Sequence, residues 1–170
     1  MNSTRLKADF FHHDVLEVAP VLLGKILARK FDNQSVARYK ITEVEAYRGT
    51  EDRACHASKG KTARTEVMFG PGGRIYVYLI YGMYWMLNVV TGESGDASAV
   101  LIRGLEGISG PGRVGKKLKL DKSFYRENLS TSNRIWIEDA PEIHKFQSTK
   151  RVGIEYAGEP WANKNWRFIL

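Results

Sequence analysis

Cysteine is nearly missing from this chain. Cys55 stands alone among 170 residues. One thiol excludes an intramolecular disulfide, a four-cysteine zinc site and an iron–sulfur cluster. That composition suits a reducing cytoplasm. Long apolar runs are missing too: none reaches the roughly 20 residues of a membrane-spanning helix. The opening MNSTRLKADFFHHD lacks the basic-flanked apolar core of a signal peptide and does not read as one. No internal repeat, low-complexity tract or inter-domain linker interrupts the sequence. Acidic residues are also in short supply. There are 19 against 26 lysines and arginines, a formal net charge of +7. A surplus of that size favours a polyanionic partner, either nucleic acid or a membrane surface. With 43% hydrophobic and 26% charged residues the chain reads as globular, and its length fits one domain over residues 1–170.

What the chain does have is a series of strand and turn signals. Asp14 and Glu17 look like a capping pair ahead of an apolar face formed by Val15, Leu16, Leu22 and Leu23. Pro20 conflicts with a continuous helix there and predicts a kink or a late start. Ile26–Phe31 reads as a strand, 32–35 as a turn and Val36–Tyr47 as the returning strand. A polar, charged loop runs from Arg48 to Thr65, and Gly70-Pro71-Gly72-Gly73 marks a turn. RIYVYLI and WMLNVV flank Tyr81-Gly82-Met83-Tyr84, which predicts a β-hairpin with the tyrosines near its tip. Further strands are expected at Ala99–Arg103, Arg134–Ile137, Arg151–Glu155 and Arg167–Leu170. Ile108–Gly115 reads as a Gly-Pro-Gly loop, overlapping a basic, helix-compatible run at Arg113–Lys119. Hairpins outnumber βαβ units, so the expected fold is α+β: a curved, mainly antiparallel sheet with a protruding hairpin and a few short helices.

Several groupings could carry chemistry. In ITEVEAY, Glu43 and Glu45 fall on one face of a strand, about 7 Å apart by strand rise. Inverting glycosidases space a water-activating carboxylate pair by roughly 6.5–9.5 Å, although two glutamates on a strand are more often a solvated face. Spacing alone does not choose between them. Tyr47 continues the same face. Cys55-His56 is a poor nucleophile–base dyad, because neighbours in an extended segment point to opposite sides. GPGRVGKK nearly spells a phosphate loop, but Lys117 replaces the hydroxyl that would bind magnesium. Gly112, with exposed amides, beside Arg113, Lys116 and Lys117 still suits a phosphodiester backbone, or else a flexible basic loop. Four of the eight tyrosines crowd into Tyr76–Trp85. Tyr76 and Tyr78 share one strand face, opposite Ile75, Val77 and Leu79. Aromatics beside basic residues suit base stacking, and a bulky tip can wedge into a base stack. For any single tyrosine, core packing is the commoner role.

Taken together, ITEVEAYRGTEDRACHA, MFGPGGRIYVYLIYGMYWMLNVV, AVLIRGLE, SGPGRVGKKL and RVGIEYAGEPWANKNWRF resemble the alkyladenine (3-methyladenine) DNA glycosylases. The stretches span most of the chain in the family's order. The resemblance implies a monofunctional, monomeric enzyme that flips damaged purines out of duplex DNA and hydrolyses the N-glycosidic bond without metal or cofactor. It implies a cytoplasmic or nucleoid location, or a nuclear one in a eukaryote, and no membrane. By the family's motifs, Glu45 deprotonates the attacking water and Arg103 helps hold that water or the nearby backbone. Tyr47, His56 and Tyr78 wall the flipped base, and Asn88 crowds the amino group of normal guanine. Tyr81 enters the minor groove with Met83 beside it at the tip. The residues leave the preferred lesion open. The resemblance also leads one to expect a longer, basic, partly helical segment before G-P-G, where only Gly107, Ile108 and Ser109 follow Glu106. Its loss would weaken the grip on DNA more than the chemistry. The rival is a nucleic-acid binder that wedges or stacks bases without cutting. That reading gives no reason for a carboxylate beside the stacking surface.

Overall fold

The computed structural model describes residues 4–170. Helix α1 (Val15–Leu22) is capped by Asp14, whose carboxylate accepts from the Leu16 amide at 2.9 Å. Glu17 does not complete a reciprocal cap; its carboxylate lies 3.8 Å from His13 Nδ1. Pro20 sits inside α1 and neither delays its start nor splits it. The helix is so short that the proline removes only one interior amide.

Nine strands follow: β1 (Ile26–Lys30), β2 (Val36–Tyr47), β3 (Ile75–Ile80), β4 (Tyr84–Thr91), β5 (Ser98–Leu105), β6 (Ile108–Ser109), β7 (Ile135–Glu138), β8 (Gln147–Thr149) and β9 (Arg167–Ile169). They form one open sheet in the order β3-β4-β5-β2-β1-β7, with β6 on β5 and β8-β9 added to β2. Every pair is antiparallel. The fold is the expected α+β sheet with short helices. β2 is its axis: residues 36–40 pair with β1 and residues 41–47 with β5, with register shifts around Glu43. Such irregularities bend a strand and sharpen its twist.

The two faces of the sheet have different jobs, set by the period-2 alternation of side chains. One face gives Val44, Ile75, Val77, Leu87, Val89, Val100 and Ile102 to the main core. Helix α1 and a second helix, α2 (Pro111–Lys117), cover this face with Val15, Val18, Leu22, Val114 and Leu118. The other face presents Tyr76, Tyr78, Met86, Asn88, Leu101, Arg103, Glu45 and Tyr47.

Two expectations are corrected. Residues 108–115 are not one loop: β6 pairs with β5, and α2 starts at Pro111 with proline in its first turn. Pro111 suits that place because its missing amide is one the helix leaves unpaired anyway. Residues 151–155 are not a strand. They form an irregular segment that ends in a 3-10 turn over Glu155–Ala157, because their polar groups are committed elsewhere, as described below. The glycines of α2 let it lie against β4. A Cβ on Gly112 would stand 3.0 Å from the Tyr84 ring, and one on Gly115 only 1.8 Å from the Trp85 carbonyl oxygen. Gly115→Ala should therefore lower stability by about 2 kcal/mol or more, as overpacking at a rigid contact does. The urea midpoint measures it, with the exposed Lys116→Ala expected to match wild type.

Candidate active site

Strand register assembles the site. Across five strands, Tyr76, Asn88, Leu101, Glu45 and Arg167 stand opposite one another in one row. A slip of one residue in β2 would turn Glu45 into the core. Glu45 has no exposed surface. Its Oε2 accepts from the Tyr47 hydroxyl at 2.6 Å, and its Oε1 from the Val152 amide at 2.8 Å. Arg103 Nε lies 3.5 Å from Glu45 Oε1 and donates to Glu43 Oε1 at 3.1 Å. Glu43 also accepts from Arg167 Nε at 2.6 Å. The two glutamates therefore share Arg103, but only Glu45 is sealed from water. Burial, and then the charge of Glu45, push the Tyr47 phenol well above its ordinary pKa. It stays protonated and keeps its donor role.

The Val152 amide is held in place by a buried ion pair. Arg151 donates from Nη1 to Asp52 Oδ2 at 2.6 Å and from Nη2 to Asp52 Oδ1 at 3.0 Å, with both side chains fully buried. Nη1 also donates to the Ala46 carbonyl at 2.9 Å. The guanidinium lies 4.9 Å from the Tyr47 ring centre and 5.0 Å from that of Trp166. Asp52 accepts from the amides of Arg48 and Ala54, both at 3.0 Å. Sequence reasoning missed Asp52 and Arg151, because each sits in a run of charge that reads as solvated.

Tyr47, His56, Tyr78, Tyr81, Asn88 and Arg103 line one cleft of about 380 Å3. That volume lies within the roughly 300–1,000 Å3 of small-ligand sites. Glu45 lies directly behind Tyr47 and Val152, which line it. The His56 ring meets Tyr78 edge-on at 4.6 Å. Asn88 Nδ2 donates to the Tyr76 carbonyl at 3.2 Å. Arg64, also missed in the sequence, fixes the tautomer of His56. A guanidinium only donates, so its Nη2 contact at 3.3 Å makes His56 Nδ1 an acceptor. The Tyr76 hydroxyl accepts from Arg64 Nε at 3.1 Å and donates to the same Nδ1 at 2.8 Å. The ring proton then belongs on Nε2. Burial, followed by the charges of Arg64 and Lys59, lowers the His56 pKa to about 4. At pH 7 this imidazole is neutral, and its Nε2 proton is far too weakly acidic for it to serve as a general acid. Cys55 is inert: it is buried, and burial pushes its thiol up to about 12.

The hairpin tip is Tyr81-Gly82-Met83, closed by the Met83 amide donating to Ile80 at 3.1 Å. Tyr81 and Gly82 both have positive φ, 53° and 65°, as a type I′ turn requires. For a tyrosine that backbone is unusual and costly. At this turn both side chains project outward: Tyr81 is 85% exposed and Met83 64%. Arg113, Lys116 and Lys117 do not line this cleft. They line a separate, wider groove with Arg29, Lys119 and Arg134. Gly112 is half-buried against Tyr84. Among the described residues, no group of three or more His, Cys, Asp or Glu side chains could hold a metal ion, and no helix is long and apolar enough to cross a membrane.

The chain belongs to the methylpurine-DNA glycosylase family, whose model matches residues 9–110 and 106–170. The two matched stretches overlap at residues 106–110. Three relatives carry the name "Putative 3-methyladenine DNA glycosylase". One from Methanocella arvoryzae is 42% identical, covering 96% of this chain and 90% of its own length. One from Legionella pneumophila is 44% identical over 98% and 94%. One from Borreliella burgdorferi is 40% identical over 95% and 93%.

Arg64→Leu should raise the His56 pKa from about 4 toward the ordinary 6.5, read by NMR titration of the imidazole. Because the fold favours neutral His56, its contribution to stability is complete above pH 6.5. It declines as pH falls from 6.5 toward 4, where the unfolded chain binds the proton first. The decline should be shallower in Arg64→Leu. An unmoved titration would mean that burial alone sets the value.

Proposed function

We propose that this protein is a monofunctional, monomeric DNA glycosylase that removes alkylated or deaminated purines from duplex DNA. The observation that carries the reading is Glu45: a fully buried carboxylate, oriented by Tyr47 and Val152, against an aromatic cleft whose rim bears an exposed tyrosine. Flipping a nucleotide costs a few kcal/mol, and less where damage has weakened the pair. Tyr81, with Met83 beside it, fills the vacated space and offsets lost stacking. Tyr47, His56 and Tyr78 wall the flipped base, and Asn88, tied to the Tyr76 carbonyl, narrows the cleft against normal guanine. Arg113, Lys116 and Lys117, on the exposed side of α2 beside Gly112, suit the DNA backbone. The names of the relatives support the same substrate class.

In the reaction, Glu45 takes a proton from water as the water oxygen bonds to the sugar C1′. The bond from C1′ to the purine breaks, and its electrons leave with the base. An ionised carboxylate offers about four acceptor positions; Tyr47 and Val152 occupy two, which leaves lone pairs to accept from a water that enters with the flipped nucleotide. Arg103 braces this side through Glu43. A general base of this kind contributes roughly 10²–10⁴-fold. Alkylated purines are cationic, so they favour aromatic faces and leave without further protonation. Hypoxanthine must gain a proton as it departs, and neutral His56 is not its source.

With one hypoxanthine in a duplex, and separately with methylated DNA, wild type should release free base in EDTA. Glu45→Gln should slow release by about 100-fold or more. Base retained by wild type despite tight binding to damaged duplex would instead identify a wedge-and-bind protein. Tyr81→Ala should melt with wild type, since its ring touches no core, yet lose about tenfold in affinity for damaged duplex, the scale of one stacking contact. The reverse pattern would make Tyr81 a packing residue.

A further inference from the structure

Exposed apolar side chains are not spread evenly over this protein. Of the eight large ones among the described residues, Leu79, Tyr81 and Met83 are on the hairpin and Val152 and Tyr156 on the loop that holds Glu45. Except for Met83, these five line the base cleft. The cleft thus has two apolar lips, and the proposed reaction uses only the hairpin. Exposed apolar surface gathered at one cleft marks a contact that another molecule completes.

Tyr156 is the largest group on the second lip and is 72% exposed. Its backbone is nevertheless fixed. Ile154 and Ala157, two residues before and one after it, are buried with Ala54 beneath Tyr47 and Trp161. The Ala157 amide donates to the Ile154 carbonyl at 2.9 Å. The Tyr156 hydroxyl donates to the Ala54 carbonyl at 3.3 Å, so the ring reaches from its own loop to the segment that carries His56. It stands on the partition between the base cleft and a neighbouring cleft lined by Arg53, Lys59 and Arg64. A broad, rigid aromatic on a pinned turn presents contact area at little entropic cost.

We propose that Tyr156 closes the outer side of the cleft as a further aromatic wall, stacking on the extrahelical base and slowing its return to the duplex. The proposal rests on the base-flipping reading above. It requires a ring rather than a hydroxyl, and it requires a base to hold.

Binding is measured in the Glu45→Gln background with two duplexes, one containing hypoxanthine and one containing a tetrahydrofuran abasic analogue. Single-turnover release of hypoxanthine is measured with Glu45 intact. Tyr156→Ala should lose about tenfold in hypoxanthine-duplex affinity, the scale of one base–aromatic stack, and slow release at subsaturating enzyme to match. Its affinity for the abasic duplex should stay at the parent level, and Tyr156→Phe should match the parent on both. Unimpaired Tyr156→Ala would overturn the proposal. So would an equal loss on the abasic duplex, which would make the ring a contact to the duplex itself. A Tyr156→Phe as weak as Tyr156→Ala would assign the effect to the Ala54 bond, and a large drop in the melting temperature of Tyr156→Ala would assign it to packing. Failure of wild type to release any base would overturn the glycosylase reading and the wall with it. Release by wild type with an unimpaired Tyr156→Ala overturns the wall alone.

Discussion

The ion pair between Arg151 and Asp52 is the contact on which the site depends. Taking both charges out of water costs several kcal/mol per ion even after relaxation, so such a pair is a poor device for stability. It is a good device for position. Asp52 gathers the amides of Arg48 and Ala54, and Arg151 gathers the carbonyls of Ala46 and Trp161. Two stretches far apart in sequence, residues 46–54 and 151–161, thereby meet at one guanidinium. Arg151 still carries a cost: its Nε is buried with no hydrogen-bond partner among the described residues. The return is local. The next amide, Val152, lands on Glu45 Oε1, and the Tyr47 ring gains a cation behind it.

Burying Glu45 would be prohibitive for a bare carboxylate. It is tolerable here because both oxygens accept hydrogen bonds and Arg103 lies close by. These same contacts fix its direction, so the chemistry inherits an orientation that solvation requires anyway. The sheet makes this possible by separating its duties. Residues of one parity fill the core under α1 and α2, while residues of the other parity, in the same strands, build the cleft. Register therefore couples the main core to the cleft, while Tyr47, Tyr76 and Tyr78 also pack into a smaller buried cluster behind the cleft. The tip is the exception, where Tyr81 adopts a left-handed backbone that most side chains avoid. Its neighbours hold it there, and strain of that kind clusters at functional positions.

Much of this was legible in the sequence wherever alternation controls the outcome. β2, the hairpin and the shared face of Glu45 and Tyr47 follow from a period of two and a glycine at the turn. The α+β reading came from the same signals. What stayed hidden depends on distant partners. Residues 151–155 contain Val152 and Ile154 and look like a strand, yet the Val152 amide is spent on a carboxylate 107 residues away in sequence. No local pattern encodes that choice. Arg64 reads as one more charge in a basic loop until Tyr76 and His56 are brought against it. Gly112 and Gly115 look like a loop because glycine is ambiguous: it permits unusual backbone, but it also permits close approach. In α2 it is close approach that Tyr84 and Trp85 require.

The tight connection after Glu106 can be understood in the same terms. The family match divides at 106–110, where this chain turns tightly through Gly107, with φ of 77°, into β6. The turn is well satisfied: the Glu106 amide donates to the Lys40 carbonyl at 2.8 Å, and β6 closes on Gly104 and Leu105. The tight connection therefore leaves no frayed strand end after Arg103, which lies one residue before the β6 pairing begins. It acts instead on the surface. Gly107, Ile108 and Ser109 form one rim of the wide groove that holds Arg113, Lys116 and Lys117. With so short a connection on that side, those cations face solvent and find no carboxylate partner on α2 itself. Long-range attraction there falls off with added salt over a Debye length of about 8 Å at physiological ionic strength. The buried contacts around Glu45 are screened much less.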